Sequence, residues 1–302
     1  IYNVIHSEFV PLFNPFQSYF DHLPSWDGVS DPIGDLADTV HVKSDQAEFR
    51  DYFRKWFVGI LPALLDDTVV NHEILVLIGE QGLYKTTWFN FLLPPELRCY
   101  FYTKTNSDRL NKDDLFSLTE FALICFEELD GMRPAELNQL KAMVTMPYVN
   151  ERAAYGRNKE RHPHIASFCG TGNNVQFLTD PTGNRRWLPF EVSQIRDPHL
   201  HAIPYELVYS QAYALWKSGF CHWFSQEEIR KLNMHNSRFE VPNLEEDLIR
   251  THFRKPFEGE AGIFVTAADI LEQISSCLRY PLSPNKIGRI MAGLEFESIR
   301  YK

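Results

Sequence analysis

Residues 74–86 read Ile74-Leu75-Val76-Leu77-Ile78-Gly79-Glu80-Gln81-Gly82-Leu83-Tyr84-Lys85-Thr86. The first five are continuously apolar, rich in β-branched side chains and stopped by a glycine. That pattern predicts a strand buried on both faces, as in a parallel sheet. From Gly79 onward the chain fits the phosphate-binding pattern G-x-x-x-x-G-K-[ST] at every fixed place but one. The physics asks for a strand, a tight turn whose amides converge on phosphate, and a helix whose N-terminus adds positive potential. Gly79 and Gly82 free the turn, Lys85 reaches the β- and γ-phosphates, and the Thr86 hydroxyl ligates Mg²⁺. The departure is Tyr84, where the pattern wants glycine and a side chain would strain the turn. The plainer alternative is an ordinary strand–turn–helix with a chance lysine.

Working outward, Thr86 to Leu93 is predicted as the following helix, stopped by Pro94-Pro95. Phe121 to Phe126 reads as a second buried strand, Ile165 to Cys169 as a third and Trp187 to Val192 as a fourth, with a helix over Pro134 to Val144. Alternating strands and helices predict an α/β sheet with crossovers. Residues 1 to about 60 read as helical, with Phe49, Tyr52, Phe53, Trp56 and Phe57 at helical spacing and a loop over Asp27 to Asp35. After about Asp197 the chain turns helical, residues 241 to 260 read as an acidic linker, and two short helices follow over Thr266–Leu278 and Ser283–Leu294. The resulting division is 1–60, 61–197, 198–258 and 259–302.

Three further segments carry candidate chemistry. The strand ending at Phe126 delivers Glu127-Glu128 at its C-terminus, where open α/β sheets place ligand-binding groups. Two adjacent carboxylates suit one Mg²⁺ contact and one general base acting on water; a solvated acidic turn is the alternative. Gly170-Thr171-Gly172-Asn173-Asn174 follows the third strand and offers an amide to a water or a phosphate, or is simply a turn. Thr182-Gly183-Asn184-Arg185-Arg186-Trp187 holds an arginine pair able to supply a cation to a transition state, in the same subunit or across an interface; two surface arginines are the alternative.

The chain has 302 residues, 30 Lys+Arg against 40 Asp+Glu, a net charge of -10, and 44% hydrophobic residues. That balance is that of a folded protein, and it rules out nucleic-acid binding by bulk positive charge. A local basic site is still open: Arg152, Arg157, Lys159 and Arg161 cluster with Tyr155. Five dispersed cysteines, with no CxxC pair, predict reduced thiols in a cytoplasm rather than disulfides or zinc. No apolar run is long enough for a membrane helix, and no signal peptide is visible. The first residue is Ile1, which reads as a piece of a longer chain.

The order of phosphate loop, Glu-Glu strand, Tyr155-Gly156-Arg157, Gly170-Thr171-Gly172-Asn173 and Gly183-Asn184-Arg185-Arg186-Trp187 resembles the virulence-associated protein E family. Those are P-loop ATPases of phages and mobile elements, similar to superfamily 3 helicases of the AAA+ type. The resemblance covers roughly residues 70 to 195, and includes Glu128-Leu129-Asp130-Gly131-Met132-Arg133, Lys141 and Arg152. It implies an α/β, ASCE/AAA+-like P-loop NTPase core between helical N-terminal and C-terminal parts, the last of them winged-helix-like. It implies ATP and Mg²⁺ on Lys85 and Thr86 with Glu127 beside the metal, Glu128 as the catalytic acidic residue, Asn173 as sensor, and Arg185 or Arg186 as arginine finger. It also implies a homo-oligomeric, hexameric ring, single-stranded or forked DNA as partner, and an upstream primase-like domain. The segment before the sensor strand would form a hairpin carrying Arg152, Tyr155, Arg157 and Lys159 to DNA backbone phosphates and bases; a subunit interface or solvent is the alternative for these residues. Two rival functions are a nucleotide-dependent switch acting on a protein and a small-molecule kinase.

Overall fold

The structure is a computed structural model and describes residues 13–105, 112–151, 159–179, 184–242, 244–257, 259–275, 283–294 and 296–299. The chain divides into two compact units, Ile1–Glu240 and Val241–Lys302.

The first unit is built on a six-stranded sheet. Its strands are β1 (Val40–Val42), β2 (Ile74–Ile78), β3 (Phe101–Lys104), β4 (Leu123–Phe126), β7 (Ser167–Gly172) and β8 (Trp187–Ile195). Their order is β1-β8-β2-β7-β4-β3. All neighbours are parallel except β1, which runs antiparallel to β8. Every residue of β2 is buried, as its apolar run requires of a strand covered on both faces. Because β7 lies between β2 and β4, the end of β7 stands between the loop that follows β2 and Glu127-Glu128.

Flanking helices close both faces. They include α1 (Pro15–Asp21), α2 (Pro32–Ala37), α3 (Gln46–Leu65), α4 (Lys85–Leu92), α5 (Lys112–Glu120), α6 (Pro134–Val144), α7 (Tyr205–Lys217) and α8 (Gln226–Asn236). The long α3 starts where Asp45 Oδ1 accepts the amide of Ala47 at 2.8 Å, a side-chain N-cap. It buries Phe49, Phe53, Trp56, Phe57, Ile60 and Leu61 completely, and truncating one such phenylalanine to alanine costs about 3–5 kcal/mol. Trp56 Nε1 donates to the Phe168 carbonyl at 3.0 Å, so α3 is tied by a buried hydrogen bond to β7. The N-terminal helices and the 198–240 helices thus share one core with the sheet.

Four expectations change. Residues 40–42, expected to be helical, form β1, because Val40, buried, pairs with Ile195 at the sheet edge. The loop over Asp27 to Asp35 gives way to α2, since Asp31 Oδ1 accepts from the Gly34 amide and Pro32 occupies the first helical turn. The acidic linker contains α9 (Leu244–His252), with Glu245, Glu246 and Asp247 in its first turn and Arg250 in its last, matching the helix dipole. The boundary therefore falls after Glu240 rather than after 258.

The second unit packs α9, α10 (Ala267–Ser275) and α11 (Pro284–Gly293) around Ile249, Ile270, Ile274 and Ile287. Thr266 caps α10: its Oγ1 accepts from the Asp269 amide, and Asp269 Oδ2 accepts from the Thr266 amide. Among the described residues this unit is helical, with no strand to form a wing.

Between α6 and β7, β5 (Tyr148–Glu151) and β6 (Glu160–Pro163) pair antiparallel as a two-stranded ribbon. No helix among the described residues is long and apolar enough to cross a membrane. Cys125 and Cys169, far apart in sequence, are register partners on β4 and β7 and are free thiols.

Candidate functional site

The loop Gly79–Tyr84 leaves β2 and enters α4, so the strand–turn–helix context is met. The loop needs unusual backbone at two places. Gly82 sits at φ 90 and Tyr84 at φ 59, both left-handed. For tyrosine that conformation costs about 1–2 kcal/mol, and its ring is 41% exposed rather than buried in compensation. The strain expected from Tyr84 is therefore present in the backbone. Gly79 is required by space: a Cβ there would lie 2.9 Å from the Val192 carbonyl oxygen of β8.

Lys85 begins α4, and its side chain folds back into the loop. Its Nζ donates to the carbonyls of Gly79 and Glu80, each at 2.7 Å, and to Asn173 Oδ1 at 3.4 Å. Burial draws the Lys85 ammonium below the ordinary lysine range, while the Asp130 carboxylate opposes the shift. One helical residue on, Thr86 Oγ1 donates to Glu127 Oε1 at 2.7 Å. Two hard oxygen donors at that spacing fit Mg²⁺, which takes one or two protein oxygens and leaves its other positions to water and phosphate. The fit requires the Thr86 proton to turn away so that the oxygen offers a lone pair. Among the described residues no group of three His, Cys, Asp or Glu side chains forms a self-sufficient metal cage.

Glu128 is also in a left-handed conformation, φ 55 and ψ 43, which turns the chain sharply after β4 and leaves its side chain exposed at the cleft. Loop, Glu127, Glu128 and the Thr171–Asn173 tip of β7 line one cleft of about 420 Å³. Sequence reasoning gave no role to Asp130 of its own. Its Oδ1 and Oδ2 accept from the Asn173 and Asn174 amides at 3.1 and 3.0 Å, which latches the tip of β7 to the turn after β4. The signal was present in the short Glu-Glu-x-Asp spacing, since a third acid lies two residues beyond Glu128.

The arginine pair is elsewhere. Trp187 opens β8 opposite Ile74, the first residue of β2, so Arg185 and Arg186 stand at the N-terminal edge of the sheet. Burial and then Arg186 and Arg185 lower the His72 imidazole, which places both arginines beside the residues just before β2. The whole of β2, 5 residues, separates them from Gly79, about 16 Å at about 3.3 Å per residue. Within this chain the pair therefore lies at the strand end opposite to the cleft. Burial and the neighbouring Arg185 draw Arg186 below the ordinary arginine range. Close by, burial pushes the Glu73 carboxyl up to about 7, against the opposing pull of its own amide, Lys55 and Arg186.

Of the residues expected on nucleic acid, Lys159 is exposed at the foot of β6, and Arg152, Tyr155 and Arg157 lie outside the described residues. Arg161, on β6, holds its guanidinium 3.5 Å from the centre of the Tyr148 ring. His164, part of the same basic segment, is buried with Nδ1 2.7 Å from the Met146 carbonyl, so it belongs to the core.

Residues 21–241 match the virulence-associated protein E-like domain. No curated protein matches the chain. Among solved structures the chain is similar to the apo C-terminal region of NrS-1 (305–718), with 13% identity, a TM-score of 0.49, and coverage of 77% of this chain and 56% of that one. It is similar also to an A form of the apo C-terminal region, with 13% identity, a TM-score of 0.45, and coverage of 78% and 54%. The chain thus spans little more than half the length of those regions. The domain match extends over well more than half of the sequence and takes in the Gly79–Thr86 loop, the Glu-Glu strand end and the arginine turn alike: the chain belongs to the virulence-associated protein E-like family.

Proposed function

We propose that this chain is an ATP-hydrolysing, DNA helicase-like motor of a phage or mobile genetic element, working in a cytoplasm as a homo-oligomeric, hexameric ring. The observation that carries the reading is the convergence of Lys85, Thr86, Glu127, Glu128 and Asn173 on one cleft at the C-terminal strand ends. The strand between β2 and β4 supports an ASCE/AAA+-like P-loop core. When bound, ATP with Mg²⁺ supplies the transferable phosphoryl group and its charge neutralisation. This chain's residues do the rest. Lys85 exchanges the Gly79 and Glu80 carbonyls for phosphate oxygens. Thr86 Oγ1 and Glu127 Oε1 orient the cation. Glu128 takes the proton from the attacking water, and Asn173, held by Asp130, fixes the water or the γ-phosphate. Arg185 or Arg186 reaches the cleft of the neighbouring subunit, which is what makes a ring necessary. The segment that includes the β5–β6 ribbon, with Arg161 on β6 and Lys159 just before it, meets single-stranded or forked DNA, and Arg152, Tyr155 and Arg157 are assigned to the same contact from sequence. A primase-like domain upstream in the full-length protein would fit this role.

A second reading, an ATP-binding switch acting on a protein partner with slow hydrolysis, is favoured by the left-handed Tyr84. ATP turnover with and without single-stranded DNA, measured beside the oligomer mass, separates the two. The motor gives DNA-stimulated turnover in an assembly of several 35.2 kDa chains. Glu128→Gln then binds ATP with turnover down by a factor on the order of 100 or more. Turnover that ignores DNA, from a monomer, favours the switch.

A further inference from the structure

The turn carrying Arg185 and Arg186 is exposed at the arginines but not behind them. Arg185 is exposed and Arg186 half-buried, whereas the residues on either side, Asn184 and Trp187, are 2% and 1% exposed. Asn236, the last residue of α8, is wholly buried, and its Nδ2 donates to the Asn184 carbonyl at 2.8 Å and to the Trp187 carbonyl at 3.0 Å. One amide group therefore grips the backbone on both flanks of the arginine pair. Both of its protons are used, which fixes its orientation: turned over, its oxygen would face two carbonyls.

A second grip comes from the residues after α8. Asn184 Nδ2 donates to Glu240 Oε1 at 2.8 Å. The backbone around Glu240 is itself anchored, because the Phe177 and Leu178 amides donate to the Phe239 carbonyl at 2.9 and 3.0 Å. The end of α8 is set in turn by His235. Its Nε2 donates to the Pro189 carbonyl at 2.7 Å, and its Nδ1 lies 2.9 Å from Glu48 Oε2 on α3. Exposed turns ordinarily gain mobility from sparse contacts. This one has its backbone held by buried hydrogen bonds while Arg185 is exposed and Arg186 half-buried.

We infer that Asn236 and Glu240, acting through the Asn184 backbone and side chain, are positioning residues that pre-set the Arg185–Arg186 turn for the cleft of a neighbouring subunit. The inference rests on the proposed role of the arginine pair across the interface. Its physical basis is that a misplacement of about 1 Å in a group acting on a reaction costs on the order of 100-fold in rate. Neither residue lies near the cleft of its own chain, which is lined at the opposite edge of the sheet. Loosening the turn should therefore slow turnover without weakening nucleotide binding.

The test uses Glu240→Ala, Glu240→Gln and Asn236→Ala in the full chain, beside Arg185→Ala and Arg186→Ala, with ATP turnover and circular dichroism. Glu240→Ala and Asn236→Ala should lower kcat by about tenfold or more with KM changed by less than about twofold. Glu240→Gln, which keeps the acceptor oxygen, should recover most of the rate. Mixing either alanine variant with Lys85→Ala should restore turnover, because the clamp variant keeps a sound cleft and the Lys85→Ala subunit keeps a sound arginine turn. Wild-type kcat in both clamp variants, with an arginine variant inactive, overturns the inference alone. So does a loss that Glu240→Gln fails to recover. Full turnover in both arginine variants overturns the arginine reading and the clamp with it. Should Asn236→Ala fail to fold, the Glu240 pair decides.

Discussion

At the C-terminal ends of β2, β4 and β7, a lysine, a threonine, two glutamates and an asparagine face one cleft. At the N-terminal end of β8, two arginines, one exposed and one half-buried, stand near Glu73 and His72. The same sheet fixes both edges, and its strands hold them apart by the full length of β2. Each edge lacks what the other has. The cleft has anions, a hydroxyl and a buried ammonium but no exposed guanidinium among its lining residues. The arginine edge has cations but no counterpart of the Gly79–Thr86 loop. A parallel sheet holds its two edges apart, so the proposed reaction, which draws on both sets, would need a second copy of the chain to complete it.

The largest effect tests the cleft. Lys85→Ala removes the ammonium that would carry charge-assisted bonds to phosphate, and ATP affinity should fall by at least about 100-fold in a calorimetric titration. Unchanged affinity would remove the nucleotide from this edge altogether. Next comes the other edge. Arg185→Ala should bind ATP normally and lose on the order of 1,000-fold in turnover, with activity regained when it is mixed with Lys85→Ala. Should single-site kinetics at high dilution show full activity in the wild-type protein, the contrast between the edges would lose its functional meaning.

A smaller effect sharpens what holds the cleft. Asp130→Asn keeps one acceptor for the β7 tip and loses the second, charge-assisted one. Turnover should fall by about tenfold and stability by about 1–2 kcal/mol, read from kinetics and chemical denaturation. The remaining effect belongs to the arginine edge, bears on stability rather than turnover, and depends on pH. The Glu73 carboxyl rises from its ordinary 4.5 to about 7 in the folded chain. The folded state thus holds this proton more tightly than the unfolded state. The sign is then fixed: the associated stability is present below pH 4.5 and is lost as pH rises through 7. Glu73→Gln should match the wild type in thermal unfolding near pH 4.5 and exceed it at pH 8.

Much of this contrast was legible in the sequence where local signals agreed. The run Ile74 to Ile78 forms β2 with those bounds, and Pro134 to Val144 forms α6 with its expected bounds. In both, period, length and flanking breakers pointed the same way. Thr86 and Glu127, 41 positions apart, meet at 2.7 Å, because burying a parallel sheet puts strand ends side by side. Other features had no local signal. Val40 to Val42 is too short to alternate, and only its partner Ile195 makes it a strand. The strand Phe101 to Lys104 is half-buried throughout and does not read as a continuous apolar run. The separation of Arg185 from Lys85 depends on β8 running parallel to β2, which no spacing within either segment encodes. Asn236 and Glu240 are likewise silent in sequence, since each acts on a turn about fifty positions earlier.

The inward fold of Lys85 has a thermodynamic consequence. Its ammonium already satisfies two loop carbonyls at 2.7 Å, so docking the proposed triphosphate would trade bonds rather than add them. The heat released per nucleotide should fall short of what the new contacts alone would release, and the two freed carbonyls must find water. Affinity at this loop is then governed by how cheaply Gly79 and Glu80 give up their cation, a cost that calorimetry across temperature can isolate from the burial of the base.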